Sequence, residues 1–278
     1  MMTQITEPKY DYRVDRLVKA YQRAVRDIYR TLDRIDISNM TRAQSAATLK
    51  EVADILSSLN EESAAWVAEN IPVAVRNGAL TALVALDVKD AEKITAFSRL
   101  NKELIEAVVA DTQSDLLAVT QNIDRKVRTT IRQVTAETMR ANMTRGINGR
   151  QMMNRDILEG LRKKLGDAVN TGIVDSAGRR WKPEVYVDMV TRTKMSHAHR
   201  EATINEAVSR KAYYGVISRH GATDACRHWE GRIVKLVADA PGDYPYINDL
   251  PRREIFHPNC RHTISPLRDP KLLEANPN

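Results

Sequence analysis

Apolar residues recur at helical spacing along most of this chain, and the clearest run comes first. Val14, Val18, Tyr21, Val25, Ile28, Leu32 and Ile35 follow one another in alternating steps of four and three. That 3.5-residue period keeps one apolar seam facing a partner helix, from the same chain or from another copy. Thr41 is suited to cap the next helix, which carries Leu49, Val52, Ile55, Leu56 and Leu59. Asn60 with Glu61 and Glu62 reads as the start of a further helix through Trp66 and Val67, with Pro72 kinking or dividing the region and Gly78 weakening it. Neither proline nor glycine interrupts 98–145, where Leu116, Val119, Ile123, Val127, Ile131 and Val134 form a stripe. The spacing predicts one continuous helix there, roughly 70 Å long at 1.5 Å per residue.

Gly146 and Gly149 end that pattern, and a shorter helix is expected from about Gln151 to Leu165. GIVDSAGRRWKP (172–183) has the residues of a hairpin or tight loop. Glu184 to about Arg210 reads as another helix, with Val185, Met189, Thr193 and Ile204 among its inward positions. The texture then changes: YYGVIS (213–218), RIVKL (232–236) and HTISPL (262–267) are short and β-rich, separated by polar, Pro- and Gly-containing loops. The expected fold is therefore mainly α, with long helices forming an elongated N-terminal part and a small C-terminal α+β module with short strands. In sequence order this divides into a helical region at 1–97, a long basic helix and a shorter helix at 98–170, the module at 171–270, and a tail at 271–278.

Charge sharpens the reading of the long helix. The chain carries a formal +7, and between Ile123 and Lys164 alone 11 Lys and Arg face 4 Asp and Glu, the same net charge. Arg125, Lys126, Arg128, Arg132, Arg140, Arg145, Arg150 and Arg155 are the candidate nucleic-acid or partner-binding residues of this block. Lysine and arginine in such a block release counterions when they meet phosphate, though an acidic partner or plain solvent suits them too. The longest uncharged apolar stretch, ALTALVAL at 79–86, falls far short of the ~20 residues a membrane span needs. With no signal pattern at the N-terminus, the chain is expected to stay in a reducing cytoplasm unless it leaves inside a larger particle. There, Cys226 and Cys260 are free thiols or metal ligands rather than a disulfide.

All six histidines and both cysteines fall between His197 and His262. Cys226 and His228 on one segment, with His257 and Cys260 on another about thirty residues on, make a candidate four-ligand zinc site, with His220 and His262 as alternative ligands. The spacing is not a standard zinc signature, so buried thiols with backbone-bonded histidines and a disulfide both remain open. His257, Asn259 and His262 also invite comparison with a metal-dependent nuclease. Crowding three such residues into six positions around Pro258 suits a turn better than a catalytic platform. Phosphate-binding and nucleophile-elbow motifs are lacking, so no catalytic residue is assigned and the chain reads as a non-enzyme.

Several stretches, taken in order, resemble the phage minor capsid protein 2 family, part of the phage head morphogenesis proteins. They are GIVDSAGRRW (172–181), YVDMVTRT (186–193), GVISRHGATDACRHWEGRIV (215–234) and FHPNCRHTISP (256–266). Arg179, Arg180 and Trp181 match the family's turn, Arg192 its helix, and Trp229 and Gly231 its C-x-x-W-x-G strand. Family members carry a second cysteine three residues before Cys226, where this chain has Thr223, so zinc here would draw on His220 or His228. The resemblance implies a structural component of a tailed-phage or prophage head. It would associate with the portal, other capsid proteins and packaged double-stranded DNA, and act in head assembly or in genome packaging and release. Its location would be the virion, and the host cytoplasm during assembly. Self-association through 14–35 is a further expectation from the seam. The competing readings are a zinc-containing, non-specific nucleic-acid-binding module and a phage-encoded metal-dependent nuclease.

Overall fold

The computed structural model describes residues 8–91, 97–144, 155–170, 173–175 and 178–271. Long helices dominate, and short antiparallel strands appear near the C-terminus, as the apolar periodicity predicts. The helices are α1 (Asp11–Asp33), α2 (Arg42–Ala85), α3 (Arg99–Thr144), α4 (Arg155–Asn170) and α5 (Pro183–Ser209). The strands are β1 (Ile173–Val174), β2 (Arg180–Trp181), β3 (Tyr214–Ile217), β4 (Ile233–Lys235) and β5 (Ile264–Leu267). No helix among the described residues is long and apolar enough to cross a membrane.

Packing groups the chain into two compact units that interleave along it. One comprises Met1–Val14, Val67–Thr112 and Met189–Asn278; the other comprises Asp15–Trp66 and Gln113–Asp188. Helices α1, α2, α3 and α5 each supply residues to both units.

In the second unit the seam of α1 is consumed within the chain. Tyr21, Val25, Ile28, Leu32 and Ile35 are all buried, with Leu17, Ala20 and Ala24 beside them, a stripe broader than a coiled-coil seam. Self-association through 14–35 therefore loses the exposed face it required. The Tyr21 hydroxyl donates to Leu116 O at 3.3 Å, and Thr138 Oγ1 donates to Ile37 O at 3.0 Å, so buried polar groups tie α3 to the α1 end of the chain. The α3 stripe is as expected: Leu116, Val119, Ile123, Val127, Ile131 and Val134 are at most 2 % exposed. Helix α4 joins through buried Leu161, Leu165 and Val169 and through Tyr29 Oη, which donates to Gly166 O at 2.9 Å.

Thr41 does cap α2, in a reciprocal box: Thr41 Oγ1 accepts from Gln44 N at 3.2 Å, and Gln44 Oε1 accepts from Thr41 N at 2.8 Å. Two expected interruptions of α2 are absent. The helix continues through Asn60, whose Oδ1 accepts from Thr120 Oγ1 at 2.7 Å instead of capping a new helix, and it also contains Pro72. Interior proline costs about 3 kcal/mol, and fully buried Ile71, Ala74 and Val75 around it supply the compensating packing.

In the first unit α2 meets α5. A Cβ on Gly78 would lie 2.0 Å from His199 O, and Thr203 Oγ1 donates to Gly78 O at 2.9 Å. The glycine is thus a contact point between two helix backbones rather than a weak spot. The buried face of α5 differs from the expected one. Val185 is 47 % exposed, and Met189, Thr193 and Ile204 are only half-buried, while Met195, Ala198, His199, Ala202 and Thr203 are buried. Close approach at Gly78 selects small residues for this face, a pattern that hydrophobicity alone does not register. Helix α5 ends in a Schellman motif, with Lys211 at φ 61° and Ala212 N donating to Ala207 O at 2.9 Å.

Beyond it, β3 is the central strand of an antiparallel β4-β3-β5 sheet, with Gly215 opposite Val234 and Pro266. The proline lies on an edge strand, where its missing N–H is tolerated. Ala82 and Ala207 of the helices and Leu86 just beyond α2 share one core with Ile217, Val234, Leu236, Ile247, Ile255, Phe256 and Ile264, and both cysteines belong to it.

Candidate functional site

The segment FHPNC folds as a tight turn. Cys260 N donates to His257 O at 2.9 Å, with Pro258 and Asn259 between them and Asn259 at φ 65°. Proline at the second position and left-handed asparagine at the third are the signature of a type II turn. The turn holds His257 and Cys260 at its two ends. Opposite them, Asp224 caps a short 3-10 helix (Ala225–Trp229) by accepting from Cys226 N at 3.1 Å, which fixes the backbone of Cys226.

Two overlapping clusters that share Cys226 form between these segments. Cys226 Sγ is 3.7 Å from Cys260 Sγ and 3.0 Å from His257 Nε2, and Cys260 Sγ is 3.3 Å from His262 Nδ1. Cys226, Cys260 and His262 lie within 4.8 Å of one another by their ligand atoms, as do Asp224, Cys226 and His257. Both thiols are unbonded, and Cys226, Cys260 and His262 are buried. Burial, and then the neighbouring Cys260, push the Cys226 thiol well above its usual range.

Of the sequence candidates, His228 is exposed and joins no metal-type cluster among the described residues. His262 lies beside the sulfurs in its place. His220 stacks on His262 with ring centroids 4.2 Å apart rather than facing the sulfurs. Glu230, which the sequence did not single out, anchors this side. Its Oε1 accepts from His220 N at 2.9 Å and Ala222 N at 3.0 Å and lies 3.3 Å from His262 Nε2; the backbone donors hold its carboxyl down at about 2. Asn259, the middle residue of the nuclease-like trio, is exposed, and its backbone N–H donates to Thr193 Oγ1 at 3.2 Å. A cavity of about 340 Å³ adjoins Cys260, lined by His197, Arg200, Arg252 and Phe256 among others. Buried Arg200 lies over the Phe256 ring at 4.2 Å.

The other motif residues have structural partners. Asp175 organises the β1–β2 hairpin: its carboxylate accepts from Trp181 Nε1 at 2.9 Å, Arg179 N at 2.9 Å and Arg179 Nε at 2.7 Å. The Trp181 bond, more than any other contact, holds the Asp175 carboxyl down at about 2. Arg179 also covers the Trp181 ring at 5.3 Å, while Arg180 is exposed. A depressed carboxyl stabilises the fold above its unfolded pKa, and that contribution is lost as pH falls through about 2. Asp175→Asn is accordingly expected to lower the unfolding midpoint at neutral pH and to shift the Trp181 indole N–H resonance; an unmoved resonance would sink this role. Arg192 pairs with Asp11 of α1. Trp229 Nε1 donates to Glu254 Oε2 at 3.1 Å, and Arg232 lies over its ring at 5.1 Å. Gly231 has φ 76°, and a Cβ there would come within 2.3 Å of the Arg219 guanidinium.

The basic block is partly neutralised. Arg128 pairs with Asp124 at 3.1 Å, Lys164 with Glu137 at 3.2 Å, and Arg162 Nη1 donates to Asp33 O at 3.2 Å. Desolvation, then Arg180, lowers the pKa of half-buried Lys126. Arg125, Arg132 and Arg140 are exposed. Arg125, Arg128 and Arg132, at steps of three and four, form a stripe on the side of α3 opposite buried Ile123, Val127 and Val134. Arg145 and Arg150 lie outside the described residues, as does the side chain of Arg155.

No curated protein and no solved structure matches the chain. The model of one family, phage minor capsid protein 2, matches residues 10–268.

Proposed function

We propose, from the premise that this chain belongs to the phage minor capsid protein 2 family and is a structural protein of the phage head, that it acts near the portal and touches packaged DNA without reading its sequence. The observation that carries the DNA contact is the exposed Arg125 and Arg132, aligned on α3 opposite a fully buried stripe. Buried Ile123, Val127 and Val134 hold the helix to its own unit, so the arginines can remain turned outward without further ordering. Cations held in this way neutralise phosphates by counterion release, a sequence-independent attraction that suits DNA of any composition. Docking on a portal or neighbouring head protein, in assembly or in packaging and release, accompanies this contact. Assembly would then take place in the host cytoplasm.

The test is a salt titration of duplex binding by the full chain. Binding should weaken steeply with salt, and Arg125→Gln combined with Arg132→Gln should reduce the slope of log K against log salt by about 2 for any sequence. An unchanged slope would remove these residues from the DNA contact. Co-sedimentation with a portal oligomer that persists in high salt, alongside unmeasurable DNA binding, would leave the docking role and overturn the DNA role.

A further inference from the structure

The four Cys and His groups on the two loops form two sulfur–imidazole pairs, and both imidazoles are oriented in the same sense. His262 directs Nδ1 at Cys260 Sγ (3.3 Å) and Nε2 at the Glu230 carboxylate (3.3 Å). His257 directs Nε2 at Cys226 Sγ (3.0 Å) and Nδ1 at Pro258 O (2.9 Å). The Glu230 carboxylate draws the His262 proton to Nε2. His257 has an acceptor at each nitrogen, Pro258 O at Nδ1 and Asp224 Oδ2 at 3.2 Å from Nε2, so a metal at Nε2 would leave its proton on Nδ1 with the carbonyl. His262 therefore presents a lone pair on the sulfur side, and His257 does so in the tautomer that donates to Pro258 O. A metal-bound histidine has this arrangement, with its other nitrogen donating to a carboxylate or a backbone carbonyl.

The spacing of the donors agrees around Cys226, Cys260 and His262, whose ligand atoms lie within 4.8 Å of one another, while His257 is grouped with Cys226 and Asp224 and would have to swing toward Cys260 to complete the tetrahedron. A zinc tetrahedron with Zn–S of about 2.3 Å and Zn–N of about 2.0–2.1 Å has S–S edges near ~3.8 Å and S–N edges near ~3.6 Å. The observed sulfur separation is 3.7 Å, and the sulfur–nitrogen separations are 3.0 and 3.3 Å.

We propose that Cys226, His257, Cys260 and His262 bind one zinc ion, which joins the 3-10 helix after β3 to the type II turn before β5. Two thiolates and two imidazoles complete four-coordination, so the site is structural and keeps no open position for substrate. Binding is balanced by protons: two S–H bonds break, two Zn–S bonds form, and both protons pass to solvent. The sheet it braces is small, with strands of four, three and four residues and a connection of 236–263 that holds only a short 3-10 turn. Zinc bound only by the folded arrangement would add its binding free energy to the stability of so small a sheet. Asp224 Oδ2 lies 3.2 Å from His257 Nε2, and it is the one other oxygen donor grouped with these residues on the Cys226 side. The proposal stands apart from DNA contact and portal docking, since it concerns how the module is held together.

The test uses the full chain. Protein purified without chelator should contain one zinc per molecule by elemental analysis, released in step with titration of two thiols by a mercurial reagent. Cobalt(II) added to the metal-free protein should give thiolate charge-transfer absorption and the ligand-field bands of a tetrahedral centre. Cys226→Ser, Cys260→Ser, His257→Gln and His262→Gln should each lose these bands. Glu230→Gln should weaken affinity by about 10–100-fold, and His228→Ala should leave it unchanged. Loss of the bands in Asp224→Asn with retention in His257→Gln would overturn the ligand set. Wild-type protein that takes up neither metal, with two freely titrating thiols or a Cys226–Cys260 disulfide by mass, would overturn the site itself, and this measurement needs no variant to fold.

Discussion

Gly78→Ala is expected to lower the stability of this protein by about 3–5 kcal/mol, the range of severe packing faults. The added methyl would lie 2.0 Å from His199 O and 3.0 Å from the Ala202 side chain. The nearest obstacle is helix backbone, which has no rotamer to change, so α2 and α5 would have to separate. Separation would also break the bond from Thr203 Oγ1 to Gly78 O and loosen the buried Ala198, Ala202 and Thr203 face. The same substitution at Gly160 makes the control. That glycine is exposed within α4, and a methyl added there would meet nothing within 4 Å, so alanine should stabilise by about 0.5–1 kcal/mol through helix propensity. Urea unfolding of the two variants should move the midpoints in opposite directions. A Gly78→Ala protein within about 0.5 kcal/mol of wild type by that assay would show that the two helices do not meet there.

Acidification should weaken the fold through His199. Its ring is 3 % exposed, and burial, then the adjacent Arg200, lowers its pKa to about 4. Thr81 Oγ1 donates to Asn77 O at 2.9 Å, so toward His199 Nε2, 3.3 Å away, it acts as acceptor. The ring proton therefore resides on Nε2, and Nδ1 accepts from the Tyr10 hydroxyl at 3.0 Å. Protonating Nδ1 sets a second donor against a hydroxyl buried beside it. Because the folded pKa lies below the unfolded one, the unfolded chain binds more protons between pH 6.5 and about 4. Stability is complete above that window and falls as pH descends through it, by roughly 3 kcal/mol at the lower end. His199→Gln keeps polar atoms near both partners but does not titrate. Subtracting its unfolding free energies from those of wild type at each pH removes the contributions of other groups. A difference that stays flat from pH 6.5 to 4 would refute the assignment.

Much of this architecture was legible in the residues. The step-of-three-and-four spacing located α1 and α3, Thr41 marked the start of α2, and three β-rich runs marked the sheet, because such signals act within one turn of chain or one strand. Pro258 and Asn259 likewise specified a turn before the last strand. Other features were hidden because they depend on what lies opposite. Pro72 looks like a helix breaker until Ile71, Ala74 and Val75 are seen buried around it, and the inner face of α5 consists of small residues chosen by a neighbouring backbone. Glu230 carries no special spacing; its role comes from the donors that converge on it.

By itself, then, the sequence determined the helical plan, the strand positions, the cationic stretch and the family, since each is written in local periodicity or in short ordered motifs. Only the tertiary structure decided which histidines face the two sulfurs. His228 is two residues from Cys226 yet turned to solvent, while His262 follows Cys260 and meets it through a buried ring. Chain proximity cannot separate these cases, because side-chain direction at a loop is set by the core against which the loop folds.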